Sequence, residues 1–223
     1  MKPEHSFLAD RPLASHCAQL YRTQPAAADL LPHLAIAGVK IGDALVKHLA
    51  ALTSEKLTAG TPQPPLDCAA SELEQDIGPL AANWLLADGL NGAPFLVSLQ
   101  AEAVLCIVDR AFGGKGVAPS SLPDAFPLSA QLMIERIEFL ILQAMSDALG
   151  GTQSPVHALQ HSSTIAKMAP FAPDERIAVL KLAIAEDGRE PWRLTFAFPA
   201  MTLDKLLGHS GPNEVVRTHG RHL

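Results

Sequence analysis

A glycine-rich segment, Gly113-Gly114-Lys115-Gly116, has the composition of a loop that could hold a phosphate group. Phosphate-binding loops of this kind follow a strand and open a helix. Here the segment follows a predicted helix, which argues against phosphate binding. Two interpretations stay open: the segment is a helix stop followed by a turn, or it is an exposed loop that contacts a partner.

Asp109 and Arg110 stand shortly before this loop, at the end of the same predicted helix. Adjacent residues on a helix point in different directions, so these two side chains cannot form a simple facing pair. Asp109 is then either a local cap that tethers the loop or one side of a salt bridge to a partner.

The other motifs that could support metal binding or catalysis are weak. His157 and His161 are four residues apart, but no glutamate follows His157 and no third metal ligand is evident, so we expect both in a loop or strand. His219 and His222 lie in the C-terminal tail and receive the same interpretation. No Gly-x-Ser-x-Gly elbow and no phosphate-loop lysine motif occurs, so the sequence predicts no hydrolase, nucleotide site, metal or cofactor.

Composition limits the class of protein. The 223 residues are 48% hydrophobic, which excludes overall disorder, and the formal charge of −6 disfavours nucleic acid as a partner. The three cysteines are odd in number and widely spaced, which is typical of a reducing compartment. No signal peptide is recognisable, and no apolar run approaches the roughly 18 residues that cross a bilayer. We therefore expect a cytoplasmic protein that reaches a membrane only through a partner.

The elements that would position the loop follow from apolar periodicity. We divide the chain into a loosely structured arm (residues 1–33), one domain (34–208) and a polar, disordered tail (209–223). Helices are predicted from residue 34 onward and over residues 100–112, 128–149 and 202–207, and hairpins over 83–99 and 177–198. This order suggests two related halves, each with helices and strands.

Two local features of this pattern carry expectations. Gly113 and Gly114 should end the second helix, because paired glycines adopt positive φ at little steric cost. In the long helix 128–149, Gln131, Glu135 and Glu138 share one narrow stripe while most of the circumference is apolar. The pattern predicts a largely buried helix with the polar stripe in solvent.

The string AVLCIVDRAFGGKG at residues 103–116, followed ten residues later by Phe126 and a long helix, resembles the middle domain of the flagellar motor switch family FliM. That family has an apolar helix, Val-Asp-Arg, a bulky pair, Gly-Gly-x-Gly, a proline-containing loop and a phenylalanine that opens a long helix. The resemblance covers roughly residues 30–207. It implies an α/β (α+β) fold, a three-layer α/β/α sandwich with two pseudo-symmetric halves, as in CheC-type proteins.

The sequence also departs from the family pattern. The acidic residue that usually follows the opening phenylalanine is missing from Phe126-Pro127-Leu128-Ser129-Ala130. Residues 1–20 do not resemble the family's acidic, apolar peptide that binds the phosphorylated response regulator CheY. The residues after Leu207 are too few to form the family's β-rich C-terminal domain, which pairs with FliN.

The resemblance implies a non-enzymatic scaffold subunit of the switch complex, or C-ring, that supports motility, rotation switching and chemotaxis. Its expected partners are a FliG-type rotor protein and neighbouring copies of itself or of FliM-type subunits, with a FliN-type protein as a further candidate. The expected partner contacts are Asp109, Arg110, Gly113, Gly114, Lys115 and Gly116.

Two alternatives stay open. One is a ring component of the sorting platform of a type III secretion system, whose proteins resemble FliM. The other is a degenerate CheC-like phosphatase, whose chemistry uses a Glu and an Asn one helical turn apart. The long helix offers Glu135 and Glu138 but no asparagine, and the chain's asparagines lie outside the predicted helices: Asn83, Asn91 and Asn213.

Overall fold

A seven-stranded antiparallel sheet separates two helical layers in the computed structural model, which describes residues 25–53, 56–89, 92–149, 156–186 and 189–208. The helices are α1 (Ala27–Leu49), α2 (Ala70–Ile77), α3 (Ala101–Ala111), α4 (Leu128–Ala148) and α5 (Ala200–Leu206). The strands are β1 (Leu57–Ala59), β2 (Leu66–Ala69), β3 (Ala81–Asp88), β4 (Pro94–Gln100), β5 (Val156–Ser162), β6 (Arg176–Glu186) and β7 (Trp192–Pro199). Short 3₁₀ turns follow α1 (Ala50–Leu52) and β5 (Ile165–Lys167).

The strand order is symmetric about its middle pair. The order is β1, β6, β7, β4, β3, β5, and β2 pairs with β6 along the same edge as β1. β6, the hairpin partner of β7, lies on one side of the middle pair, and β3, the hairpin partner of β4, lies on the other. Beyond β6 lies β1 of the first half of the chain, and beyond β3 lies β5 of the second half. The two halves, α1 to α3 and α4 to α5, therefore exchange their edge strands, which confirms the predicted pseudo-symmetry.

The main core lies between the sheet and α1, α3, α4 and α5. Its floor is a cross-strand row of fully buried side chains, Trp84, Val97, Phe196 and Leu180, on β3, β4, β7 and β6. A smaller apolar cluster on the other face packs Leu73 of α2 and the second 3₁₀ turn against the sheet. Alternate residues of a strand face opposite sides, so both clusters arise from one set of strands.

Most predicted elements are confirmed: the helices over 100–112, 128–149 and 202–207 and both hairpins match α3, α4, α5, β3–β4 and β6–β7. The predicted helix start at Leu34 is wrong, because α1 begins at Ala27 and contains Pro32. Pro32 lies in the second turn, where a proline removes one backbone hydrogen bond, and the helix continues through it. The expectations for residues 1–24 and 209–223, including the missing CheY-binding peptide, lie outside the described residues.

The predicted burial of α4 is wrong on one side. Ile137 and Ile141 are buried against the core, but Leu128, Leu132 and Phe139 are 73%, 64% and 60% exposed. Only one side of the helix meets the sheet and α1, and nothing in the described chain covers the other. Among the described residues, no helix combines the length and apolar character needed to cross a lipid bilayer.

Candidate partner-binding loop

The loop after α3 begins as a regular helix stop. The Gly113 amide donates to the Arg110 carbonyl, and the Gly114 amide donates to the Asp109 carbonyl, each at 2.8 Å. Gly113 has a φ of 85°, in the left-handed region where a glycine is favoured. These bonds satisfy carbonyls that the end of α3 would otherwise leave unpaired.

The Asp109 side chain then fixes the next turn. Its Oδ2 accepts a hydrogen bond from the Gly116 amide at 2.8 Å, and Gly116 has a φ of 65°. A Cβ atom at Gly114 would overlap the Asp109 carboxylate. Gly114 itself does not have a positive φ, so that part of the prediction is wrong, and its glycine is required by close approach instead. The structure thus supports the interpretation of Asp109 as a loop tether.

Arg110 points the other way, into a buried ionic contact with β6. Its guanidinium pairs with the carboxylate of Glu186, and the two side chains are 11% and 3% exposed. Thr53 completes the contact: its hydroxyl lies 2.8 Å from Arg110 Nη1 and 2.9 Å from Glu186 Oε1. Arg110 therefore joins the end of α3 to the end of β6.

Arg189, which follows the turn after β6, connects this contact to the glycine loop. Its Nε lies 3.3 Å from Glu186 Oε2. Its Nη1 donates to the carbonyl of Lys115 and lies 3.5 Å from that of Gly116. The loop is thus held from one side by Asp109 and from the other by Arg189. We call Arg110, Glu186, Arg189 and Thr53 the latch.

Three of the four latch residues are not predicted by any motif in the sequence: Glu186, Thr53 and Arg189. Glu186 and Arg189 fall inside the predicted hairpin over 177–198, and Thr53 belongs to no motif. Glu186 is separated from Arg110 by 76 positions, so no local spacing could pair them. The available signal was a carboxylate that ends an otherwise apolar strand, which must find a counter-charge if it is buried.

The latch leaves the tip of the loop exposed. Phe112 is 76% exposed and Val117 is 68% exposed, and the Lys115 side chain between them is also exposed. Clefts of about 460 and 450 Å³ flank the loop. Cys106 lines the first of them, and burial raises the pKa of its thiol, although Arg110 opposes the shift. A raised pKa keeps more of the thiol protonated, and the protonated form is a weak nucleophile.

The two glutamates of α4 differ in environment. Glu135 is exposed, but Glu138 is partly buried, with Oε2 3.9 Å from Nδ1 of His161 on β5. The expected solvated position is therefore wrong for Glu138. Burial raises the pKa of Glu138, and His161 partly opposes this shift. His157 and His161 lie on a strand as predicted, and no cluster of three metal-ligating side chains occurs in the described ranges.

Comparison with known proteins identifies the fold. No family model matches the sequence, and the search of curated proteins found no match. Among solved structures, the chain is similar to a FliG–FliM complex from H. pylori, with a TM-score of 0.72, 13% identity and coverage of 81% of this chain and 98% of that one.

Two further structures agree. A FliM middle domain from V. alginolyticus has a TM-score of 0.65 at 13% identity, covering 78% of this chain and 96% of that one. FliY from Thermotoga maritima has a TM-score of 0.64 at 11% identity, covering 81% and 95%. The chain therefore has the fold of FliM middle domains, which confirms the fold that the sequence resemblance implied.

Proposed function

We propose that this chain is a non-enzymatic scaffold subunit of a flagellar motor switch complex, and that its glycine loop contacts a FliG-type rotor protein. The observation that carries the proposal is the loop itself: a short turn with an exposed phenylalanine and lysine at its tip, held from below by buried charges. A rigid loop loses little conformational entropy on binding, which favours its use as a contact surface.

The composition of the loop tip suits a protein partner. Exposed aromatic side chains are enriched among the residues that dominate binding energy, and Phe112 is the most exposed large apolar side chain of the described residues. Gly113 and Gly114 bear no side chain beside it, so a partner's backbone can approach closely. One solved structure with this fold is a complex of FliM with FliG, which makes a FliG-type protein the first partner to test.

The roles assigned to Asp109 and Arg110 change within this proposal. The Asp109 carboxylate accepts a hydrogen bond from the Gly116 amide, and Arg110 is mostly buried against Glu186. Both residues therefore affect partner binding indirectly, by fixing the conformation of the loop. The proposed contact surface is supplied by the loop residues Gly113, Gly114, Lys115 and Gly116. We further propose that the protein is cytoplasmic and reaches the inner membrane only through the motor.

The test is a calorimetric titration of the full chain with a FliG-type protein. Phe112→Ser and Lys115→Glu should each weaken binding by at least about tenfold, as truncation of a central contact does. Phe139→Ser and Lys167→Glu are matched controls, because both side chains are exposed and lie on other elements, α4 and the second 3₁₀ turn. Unchanged affinity in both loop variants would refute the proposed role of the loop.

A further inference from the structure

A row of polar side chains crosses the sheet on the face that α2 covers only in part. Strand register places its members side by side on β6, β7, β4, β3 and β5: Lys181, Thr195, Ser98, Asn83 and Ser162. Directly opposite residues of antiparallel strands share a face, with Cβ atoms about 4.5–5.5 Å apart. The opposite face of these strands carries the main core, so the polar row is a feature of this face alone.

The β6, β7 and β4 part of the row forms the floor of an open cleft of about 560 Å³. Its walls include Gln63 before β2, Asp76 at the end of α2 and Glu102 in the first turn of α3. Small-molecule sites commonly enclose about 300–1,000 Å³, so the cleft has the size of such a site.

Two hydroxyls in this floor have no hydrogen-bond partner within the ranges that the structure describes. Ser98 is 3% exposed, and Thr195 lies directly opposite it on β7. Among the described residues, neither hydroxyl oxygen belongs to the fully buried polar atoms that lack a partner, so both are accessible from the cleft that they line. A hydroxyl that lines a cleft without a protein partner is free to donate to, or accept from, a molecule in the cleft.

Two of the charged groups in the cleft form an ion pair, and two others do not. Lys181 Nζ lies 2.6 Å from Asp76 Oδ1, so these two charges neutralise each other. Arg193 lies two residues before Thr195 on β7 and lines the same cleft, as Glu102 does. Across the described part of the chain, neither Arg193 nor Glu102 has an oppositely charged group within 4 Å.

We infer that this cleft binds a small zwitterion with one carboxylate and one ammonium group. Arg193 and the hydroxyls of Ser98 and Thr195 bind the carboxylate, and Glu102 binds the ammonium group. A simple anion would meet the repulsion of Glu102, and a simple cation would meet that of Arg193, so the unpaired charges select a molecule that carries both. Free amino acids and short peptides share this chemistry.

The experiment is an NMR titration of the full chain that follows backbone amide shifts on β4 and β7. L-serine is the zwitterionic probe. 3-Hydroxypropionate keeps its carboxylate and hydroxyl without the ammonium group, and ethanolamine keeps its ammonium and hydroxyl without the carboxylate. We expect saturable binding of L-serine, with both single-charge probes at least about tenfold weaker because each loses one charge-assisted contact. Glycyl-L-serine distinguishes the sources: tighter binding than L-serine assigns the cleft to peptides, and weaker binding assigns it to free amino acids.

Variants connect the binding to the named groups. Arg193→Gln and Glu102→Gln should each weaken zwitterion binding at least about tenfold without lowering the melting temperature, because neither charge is paired in the native protein. Lys205→Gln on α5 is the matched control, since this exposed lysine lies outside the cleft. Equal binding of 3-hydroxypropionate and L-serine, or no binding of either zwitterion, would overturn the inference.

Discussion

Glu186→Gln should destabilise the protein far more than an ordinary loss of surface charge. Glu186 is 3% exposed and pairs with Arg110, which is 11% exposed, so the variant leaves a buried guanidinium without its counter-charge. Removal of one partner of a buried pair costs about 3–5 kcal/mol, and we expect about 3 kcal/mol because Arg110 keeps its contact with Thr53. For a chain of this size, that corresponds to a fall of about 6–12 °C in melting temperature.

The assay is urea unfolding and thermal melting of the variant beside two references. Lys47→Gln removes a pair with Asp147 whose side chains are 70% and 46% exposed, and it should leave the melting temperature nearly unchanged. The double variant Arg110→Met/Glu186→Leu removes both buried charges at once. It should recover most of the loss, because two well-packed apolar side chains often replace a buried pair at little cost.

The result also bears on the loop. Arg189 contacts both Glu186 and the carbonyl of Lys115, so loss of the carboxylate should free one side of the loop and speed hydrogen exchange of the Gly116 amide. If Glu186→Gln costs no more than Lys47→Gln, the Arg110–Glu186 contact is solvated in solution and the latch does not hold the loop.

Three further predictions concern α4. Ile137→Ala, at 0% exposure, should lower the unfolding free energy by about 2–5 kcal/mol, while Phe139→Ala, at 60% exposure, should change it by less than about 1 kcal/mol in urea titrations. The pKa of Glu138 is raised in the folded state, so its stabilising contribution is complete below the ordinary glutamate pKa and is lost as pH rises through the folded value. Glu138→Gln should abolish this loss in titrations that start at the ordinary glutamate pKa of about 4.3 and continue upward. The purified protein should not dephosphorylate a response regulator, and a tenfold acceleration that Glu135→Ala abolishes would contradict the scaffold assignment.

The parts of the fold that the sequence predicted are those with long, regular periodicity. The helices α3 and α4 and the two hairpins bury a continuous face, so their apolar spacing is visible without any tertiary information. β1, β2 and α2 were not predicted because they are short. The burial of β1 and β2 also depends on pairing with β6, far along the chain. The first turns of α1 were not predicted, because a proline such as Pro32 in a helix interior normally indicates a helix boundary.

The candidate site was predictable only in its local part. Gly113, Gly116 and the Asp109 tether follow from a helix end and a tight turn, which nearby residues encode. The burial of Arg110 could not be predicted, because it depends on a contact with Glu186. The packing of α3 against the sheet places these two residues opposite each other. The exposure of Leu132 and Phe139 was likewise hidden, because an apolar residue in sequence does not reveal whether another element covers it.

The loop and the latch both lie where the two halves of the chain meet. The loop belongs to the segment that joins α3, the last helix of the first half, to α4, the first helix of the second half. A connection between two halves would move with any shift of one against the other. Arg110 of the first half is bound to Glu186 of the second, so the loop is fixed at the point where the halves are held together. In the proposed scaffold role, a force on the loop tip would therefore reach both halves through the Arg110–Glu186 pair.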